Sequence, residues 1–171
     1  MGTEIERKFR IDHNKLLQET GALREGRHIA QGYLSKDPAV RVRIQGHPLG
    51  KFFPSPATVA DKAWITIKGP GLQKRQEFEY SIPLEDSTSL MNLCAIRLSK
   101  IRFVIEHGYS TWEVDQFLGQ HEGLWLAEIE LKTEDQPFKT PSWIGQEVTD
   151  DHRYQNVYLA EHPEDRFWSE T

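Results

Sequence analysis

The chain has 171 residues, a length that suits one domain with a single sizeable core. Charged residues make up 27% of it and hydrophobic residues 37%, which excludes the composition of a membrane-embedded or fibrous protein. Because 21 basic and 26 acidic residues give a net charge of -5, the chain is a poor general nucleic-acid binder, and any polyanionic ligand must meet a local cationic pocket.

The cysteine count and the absence of apolar runs indicate where the protein works. Cys94 is the single cysteine, which excludes an internal disulfide framework and a cysteine-cluster zinc site. No leader-like apolar stretch follows Met1, and no run of apolar residues could span a bilayer. We therefore expect a cytoplasmic protein with neither a membrane nor a nucleic-acid partner. The oligomeric state is open, with a homodimer as one option.

Alternation of polar and apolar residues predicts eight β-strands along the chain. The expected strands are residues 4–11, 27–35, 40–46, 62–68, 75–82, 100–107, 110–117 and 124–133. Short turns separate several of them, for example Gly69-Pro70-Gly71. The third and fourth strands are instead joined by a long segment, residues 47–61, which holds three prolines.

Three further segments are predicted to be helical, residues 12–25, 86–98 and 150–160. Eight strands joined mostly by short turns favour an antiparallel sheet that closes on itself, because closure removes exposed edges. The expected fold is therefore mainly β, with some α: a closed eight-stranded antiparallel barrel with a few flanking helices. Residues 1–160 are predicted to form the domain and residues 161–171 a C-terminal tail.

Charged residues alternate with apolar ones in every predicted strand except the second. In the third strand, Arg41 and Arg43 share a face opposite Val42. A half-solvated sheet with charges on its exterior would give a similar pattern. However, many of these doublets have a single sign, and like charges two residues apart repel each other on an open surface. If the apolar faces pack outward against the helices, the charges line a hydrated barrel interior.

Such an interior needs ligands that neutralise it. The candidate inward cations are Lys8, Arg41, Arg43, Lys68, Lys100 and Arg102. They suit a compact anion with several phosphates, since Arg binds phosphate through two parallel hydrogen bonds. The candidate inward carboxylates are Glu4, Glu6, Glu77, Glu79, Asp115, Glu128 and Glu130. Carboxylates can face phosphate only with hard divalent cations between them, and oxygen ligands suit Mg²⁺ or Mn²⁺.

The opening Glu4-Ile5-Glu6-Arg7-Lys8 resembles the ExExK motif of the CYTH, or triphosphate tunnel metalloenzyme, superfamily. Other segments resemble that family's strands in their usual order: residues 31–34, 40–43, 65–69, 77–80, 100–102, 112–117 and 127–131. The closing stretch, residues 143–149, is similar to the short bacterial members. The long connection over 47–62 departs from the family, in which a tight hairpin is expected, and its role is open.

The resemblance implies an eight-stranded tunnel that binds triphosphates with a divalent metal. By position it implies metal ligands at Glu4, Glu6, Asp115, Glu128 and Glu130, with Glu77 and Glu79 as supporting carboxylates. It implies triphosphate-binding cations at Lys8, Arg41, Arg43, Lys68, Lys100 and Arg102. Of these, Lys8, Lys100 and Arg102 are expected to take part in catalysis. Arg75 and Arg153 are candidates for extra phosphate contacts outside this set, with a surface role as the alternative.

The short bacterial-type pattern favours metal-dependent hydrolysis of inorganic tripolyphosphate to pyrophosphate and phosphate. Within the same fold, the alternatives are a thiamine triphosphatase, a nucleoside triphosphatase or a class IV adenylate cyclase. These would need a pocket for the organic group, with Trp64 and Tyr33 as candidate stacking residues. A different class of function, a polyphosphate-binding module without catalysis, would need only the cations.

Overall fold

The structure is a computed structural model that describes residues 2–23, 25–46 and 60–169. The predicted long connection therefore lies outside the described residues, apart from its last two positions. None of the helices in the described ranges is long and apolar enough to cross a membrane.

The described residues form one antiparallel sheet of nine strands. The strands are β1 (Gly2–Ile11), β2 (Arg27–Lys36), β3 (Ala39–Gly46), β4 (Ala60–Lys68), β5 (Lys74–Ser81), β6 (Ile96–His107), β7 (Ser110–Phe117), β8 (Trp125–Glu130) and β9 (Ile144–Glu147). Their order across the sheet is β5-β4-β3-β2-β6-β7-β8-β1-β9, and β5 also pairs with β1.

Strand β1 closes the barrel because its two halves pair with different strands. Residues 2–5 pair with β5, and residues 6–10 pair with β8. The closed eight-stranded antiparallel barrel is thus confirmed. Strand β9 is an addition outside the prediction: it pairs with the end of β1, where Phe9 lies opposite Glu147 and Ile11 opposite Ile144.

The three predicted helices exist, but they are shorter than predicted. They are α1 (His13–Thr20), α2 (Leu84–Leu93) and α3 (Asn156–Glu161). Asp12 caps α1 as expected by accepting a hydrogen bond from the backbone N–H of Lys15, and Gly21, with φ of +71°, ends it. The predicted second helix was wrong beyond Leu93, because the alternating residues from Ile96 onward begin β6. The third begins later than predicted, after a short 3-10 helix at His152–Tyr154.

The apolar faces of most strands point outward and are covered by the helices and by the segment after β8. Leu16 of α1 and Trp143 are fully buried in one such cluster, together with Trp112 of β7. Met91 of α2 and Cys94 cover Val42 of β3 in another, where the Cys94 thiol is buried. With these faces occupied, the opposite, charged faces of the strands turn into the barrel.

One end of the barrel interior is apolar, which the charge pattern did not predict. Leu98, Phe117 and Leu126 share the strand faces of Arg102, Asp115 and Glu128, yet they are buried in one cluster with α3. That cluster also contains Trp168, so part of the predicted tail packs against the barrel. The charged part of the interior is therefore a cavity with an apolar floor on the α3 side.

Candidate functional site

A cavity of about 360 Å³ occupies the charged part of the barrel interior. Eleven of the thirteen site residues predicted from the sequence line it: Glu4, Glu6, Lys8, Arg41, Arg43, Lys68, Glu77, Glu79, Arg102, Glu128 and Glu130. They come from six different strands, β1, β3, β4, β5, β6 and β8, so barrel closure is what brings them together. Lys100 and Asp115 do not line this cavity.

Lys100 and Asp115 form an ion pair beneath the cavity wall, and both side chains are 0% exposed. The Nζ atom of Lys100 also lies 5.6 Å from the centre of the Phe117 ring, at the border with the apolar floor. Burial lowers the pKa of Lys100 to about 8, and the guanidinium of Arg102 acts in the same direction. In this arrangement Asp115 is bonded to cations, so ligation of a metal would require it to exchange one of them.

Arg102 stands between that buried pair and the cavity. Its Nε and Nη2 atoms donate to the two carboxylate oxygens of Asp115 at 2.7 and 2.6 Å, and Nη2 also contacts Glu128 at 2.6 Å. Its Nη1 atom donates to Glu113. Burial opposes the charge of Arg102, but these carboxylates outweigh it and hold the pKa of Arg102 well above its usual value. Its orientation is thus fixed from below by Asp115.

Lys8 is the most enclosed cation that faces the cavity. Its Nζ atom lies 2.9 Å from a carboxylate oxygen of Glu128 and 3.5 Å from one of Glu6, and it donates to the carbonyl of Tyr154 at 3.4 Å. Burial opposes the charge of Lys8, but Glu128 and Glu6 raise the pKa of Lys8 above its usual value. Register explains the contact, because Lys8 and Glu128 are directly opposite in β1 and β8.

Glu4 is bonded on both of its oxygens at the junction of β1 with β5. Lys68 Nζ donates to the two oxygens at 3.0 and 2.9 Å, and Arg75 Nε donates to one of them at 2.8 Å. Lys68 also forms an ion pair with Glu77 at 2.6 Å. Although burial opposes the charge of Glu77, Lys68 lowers the pKa of this carboxyl group.

Arg41 and Arg43 are neighbours on the inner face of β3 but have different partners. Arg41 donates to the hydroxyl of Thr66 at 3.0 Å, and that hydroxyl donates to Glu79. The Nε atoms of both arginines are buried with no hydrogen-bond partner. Burial lowers the pKa of Arg43 to about 10, and the guanidinium groups of Arg41 and Arg102 add to this effect. Arg43 is therefore a cation without adequate compensation, as expected for a group that binds an anion.

The carboxylates on the other side of the cavity show the opposite imbalance. Burial, followed by the charges of Glu4 and Glu113, raises the pKa of Glu130. A divalent cation placed among Glu4, Glu6, Glu128 and Glu130 would relieve this repulsion, and their oxygen atoms suit Mg²⁺ or Mn²⁺. As the side chains are placed, no three His, Cys, Asp or Glu groups within residues 2–23, 25–46 and 60–169 are arranged to hold a metal ion. The four carboxylates have the right chemistry, but Glu4, Glu6 and Glu128 are paired with cations.

The cavity also contains charged residues that were not among the predicted site residues. Glu113 lines it beside Arg102, and Arg75 lines it beside Glu4. The sequence could have identified both residues by strand alternation, because Glu113 lies on the same strand face as Asp115, and Arg75 lies on the same face as Glu77. Gln155, from the segment before α3, could not be placed by strand parity at all. Arg153, a second extra cation that the sequence suggests, is instead paired with Asp151 near the surface.

The charges around the cavity nearly cancel. Among the described residues, seven Lys or Arg and eight Asp or Glu side chains line it. The cations are Lys8, Lys36, Arg41, Arg43, Lys68, Arg75 and Arg102, and the anions are Glu4, Glu6, Asp37, Glu77, Glu79, Glu113, Glu128 and Glu130. A highly charged anion therefore gains little net attraction unless additional positive charge enters with it.

Comparisons with known proteins agree with this geometry. The family model of the CYTH domain matches residues 2–160, which confirms the resemblance drawn from the sequence. An inorganic triphosphatase of Acetivibrio thermocellus is 37% identical over 98% of this chain and 99% of its own length. An inorganic triphosphatase of Nitrosomonas europaea is 32% identical over 92% and 97%. A crystal structure of an inorganic triphosphatase is 32% identical, covers 94% of this chain and 95% of its own, and superposes with a TM-score of 0.58.

Proposed function

The chain belongs to the CYTH domain family, and we propose that it is a metal-dependent enzyme that hydrolyses inorganic tripolyphosphate to pyrophosphate and phosphate. The observation that carries the proposal is the cavity itself, which is lined by Arg41 and Arg43, whose buried Nε atoms have no hydrogen-bond partner, and by carboxylates whose charges raise the pKa of Glu130. The similarity to inorganic triphosphatases over nearly the whole chain supports it.

The phosphate chain would bind to the cations that face the cavity. Arg41 and Arg43 project from β3, Lys68 from β4 and Arg102 from β6. Guanidinium groups bind phosphate oxygens through paired hydrogen bonds, and Arg43 is free to do so because its Nε lacks a partner. Lys8, held by Glu128, is placed to bind a phosphate at the inner end of the cavity.

The divalent cation would be held by Glu4, Glu6, Glu128 and Glu130, with Mg²⁺ or Mn²⁺ as the expected metal. When bound, it supplies positive charge that stabilises the charge on the transferring phosphoryl group. The near-neutral lining gives the physical reason for this requirement. Tripolyphosphate brings several negative charges into a cavity whose lining has no excess of positive charge. Asp115 as a further ligand stays a prediction, because Lys100 and Arg102 occupy it here.

The residues around the reacting bond would act by positioning and charge stabilisation. Water attacks a terminal phosphorus in line with the bridging P–O bond, which breaks and releases pyrophosphate. Arg102, oriented by Asp115, is placed to stabilise the negative charge that develops on the leaving group. Lys100 would not touch the substrate. It would hold Asp115, which in turn orients Arg102. Lys100 is thus proposed as a positioning residue for catalysis.

The lining favours an inorganic substrate over an organic triphosphate. No Trp or Phe from the described ranges lines the cavity, and Trp64, one of the two expected stacking residues, does not reach it. Tyr33 does line it, but its hydroxyl accepts a hydrogen bond from Gln31 at 2.9 Å. The apolar floor beneath α3 also closes one end of the cavity.

The test is phosphate release from tripolyphosphate, ATP and thiamine triphosphate, each with Mg²⁺, Mn²⁺ or a chelator. We expect metal-dependent release that is much faster from tripolyphosphate than from the other two. Glu128→Gln should reduce turnover at least about tenfold, because it removes a metal ligand and the partner of Lys8. Arg153→Gln is the matched control, since Arg153 is a cation that pairs with Asp151 away from the cavity.

Other outcomes would replace the proposal. Faster turnover of an organic triphosphate would move the assignment to one of the alternative enzymes. Tight binding of tripolyphosphate without any turnover, including cyclisation of ATP, would make the protein a binding module. The predicted cytoplasmic location stays a prediction, as does the boundary of the domain at residue 160.

A further inference from the structure

Arg75 lines the cavity and connects a residue of the predicted site to a residue outside it. Its Nε donates to Glu4 at 2.8 Å, and its Nη1 donates to the side-chain oxygen of Gln155 at 3.2 Å. The side chain is 12% exposed. It therefore links the start of β1, a strand of the barrel, to the segment that leads into α3.

Arg75 competes with any metal ion for Glu4. Together, Arg75 and Lys68 contact both oxygens of that carboxylate, so a metal ion that binds Glu4 has to compete with two cations already hydrogen-bonded to it. Lys68 has a second carboxylate, Glu77, at 2.6 Å, which neutralises it whether or not it contacts Glu4. Arg75 has only the neutral amide of Gln155 as its other side-chain partner among the described residues. Of the two cations, Arg75 is the one that loses its charge partner when Glu4 takes a metal.

Arg75 also lies beside the cations that would bind phosphate. Arg75 and Lys68 contact the same carboxylate, Glu4, and Lys8 lines the same cavity. A phosphate oxygen in this cavity is a substitute anion for the one that Arg75 gives up. The guanidinium suits this exchange because it binds carboxylate and phosphate oxygens with the same planar geometry.

We propose that Arg75 is an exchangeable counter-ion: it neutralises Glu4 while no metal is bound, and it turns to the phosphate chain when a divalent cation takes Glu4. The inference rests on the proposed function, because it assumes the metal and the phosphate chain that this function requires. Its consequence is that metal and polyphosphate each favour the binding of the other through one side chain. Arg75 then sets the strength of that coupling.

The experiment measures binding and not turnover. Mn²⁺ is titrated into the metal-free protein by calorimetry, without phosphate. Tripolyphosphate is titrated separately in the presence of EDTA. The proteins are the wild type, Arg75→Gln, Arg75→Lys and the control Arg153→Gln, and thermal melts check that each is folded.

Arg75→Gln should bind Mn²⁺ about tenfold more tightly than the wild type, because the charge-assisted hydrogen bond that competes for Glu4 is gone. The same variant should bind tripolyphosphate more weakly in EDTA, because without Arg75 the charge of Glu4 is less neutralised and opposes the phosphate chain. Arg75→Lys keeps the charge and should lie between the wild type and Arg75→Gln in both titrations, whereas Arg153→Gln should match the wild type.

Weaker or unchanged Mn²⁺ binding by folded Arg75→Gln would overturn the inference, since a merely structural Arg75 would support Glu4 instead of competing for it. Should Arg75→Gln fail to fold, Arg75→Lys decides alone: Mn²⁺ binding no tighter than that of the wild type overturns the inference. The proposed function fails separately, if the wild-type protein releases no phosphate from tripolyphosphate with either metal. A wild type that turns over substrate while Arg75→Gln binds Mn²⁺ like the wild type would remove only the role of Arg75.

Discussion

Arg41 and Arg43 are two residues apart on one strand, yet the contacts of their guanidinium groups differ. Arg41 is hydrogen-bonded to Thr66 and lies 3.6 Å from Glu79. The buried Nε atoms of both arginines lack a partner, but burial together with Arg41 and Arg102 lowers the pKa of Arg43 to about 10. A lowered pKa of a cation means that the folded state disfavours its charge. Arg43 is thus retained at a cost in stability that a bound anion would offset.

Arg43→Gln should therefore make the ligand-free protein more stable while it weakens tripolyphosphate binding. A gain of about 1 kcal/mol corresponds to a rise in Tm of about 2–4 °C for a domain of this size. Arg41→Gln is the control, because it leaves Thr66 and Glu79 without their cation and should lower Tm. Thermal melts with and without tripolyphosphate measure both effects. A fall in Tm for ligand-free Arg43→Gln would show that Arg43 is compensated after all.

The alternation of residues along a strand predicts which site residues face the barrel interior, but not how deep each one lies. Parity and sign placed Glu4 and Arg43 on the inner face, and the structure places both at the cavity. Parity alone could not show that Lys100 and Asp115 lie below the cavity wall, because depth along a strand depends on where the apolar floor begins. Strand alternation could not identify Gln155, because this residue lines the cavity from a segment that is not a strand.

At the scale of elements, α3 is held over the barrel end by a buried histidine. The Nε2 atom of His121 lies 2.7 Å from the carbonyl oxygen of Leu159, and its ring packs against Phe117 and Trp168. Burial lowers the pKa of His121, although its bond to Leu159 opposes the shift. The neutral ring, which donates Nε2–H to Leu159, is therefore the form that the folded protein favours.

Acidification should loosen this end of the barrel. Since the folded pKa of His121 lies below the unfolded value of about 6.5, the unfolded chain binds more protons in that window, and stability falls as the pH drops through it. His121→Asn should show a smaller fall in the free energy of unfolding between pH 7 and pH 5. Urea unfolding at both pH values measures the difference. An equal fall in both proteins would assign the pH dependence to other groups.

The contact between β2 and α2 depends on Gly32. A Cβ atom at this position would lie 2.6 Å from the Cβ of Cys94 and 2.9 Å from the Sδ of Met91. Gly32→Ala should therefore reduce the free energy of unfolding by about 1–3 kcal/mol, as overpacking of a core does. Gly2→Ala is the matched control, because nothing lies within 4 Å of its Cβ. Equal urea midpoints for the two variants would contradict this account of the contact.

The elements themselves were predictable to the extent that their patterns were long. Eight alternating segments became eight barrel strands, whereas β9 has four residues, too few for alternation to stand out. The predicted helix over 86–98 ran past its end because Leu98 satisfies both a helical and a strand spacing. Pairing with β2 decides for the strand, where Leu98 lies opposite Gln31. Tertiary pairing of this kind cannot be read from one segment.

At the scale of the whole molecule, the barrel holds a nearly balanced set of charges that its own ion pairs partly neutralise. Seven cations and eight anions from the described residues line one cavity. A divalent cation alone meets the cations, and tripolyphosphate alone meets the carboxylates, so each ligand is opposed when it binds by itself. Bound together, each neutralises the charges that oppose the other.

Metal and polyphosphate should therefore stabilise the protein by more than the sum of their separate effects. The measurement is Tm in EDTA, with Mg²⁺ alone, with a nonhydrolysable imido analogue of tripolyphosphate in EDTA, and with both. A joint shift larger than the two single shifts added together is the expected result. Stabilisation by a ligand grows with the logarithm of its concentration divided by its Kd, and each ligand lowers the Kd of the other. Glu6→Gln with Glu130→Gln should reduce this excess, since the pair removes two carboxylates from the repelling group. Additive shifts in the wild type would mean that the two charge groups bind their ligands independently, and the balance of charge in the cavity would then not account for the metal requirement.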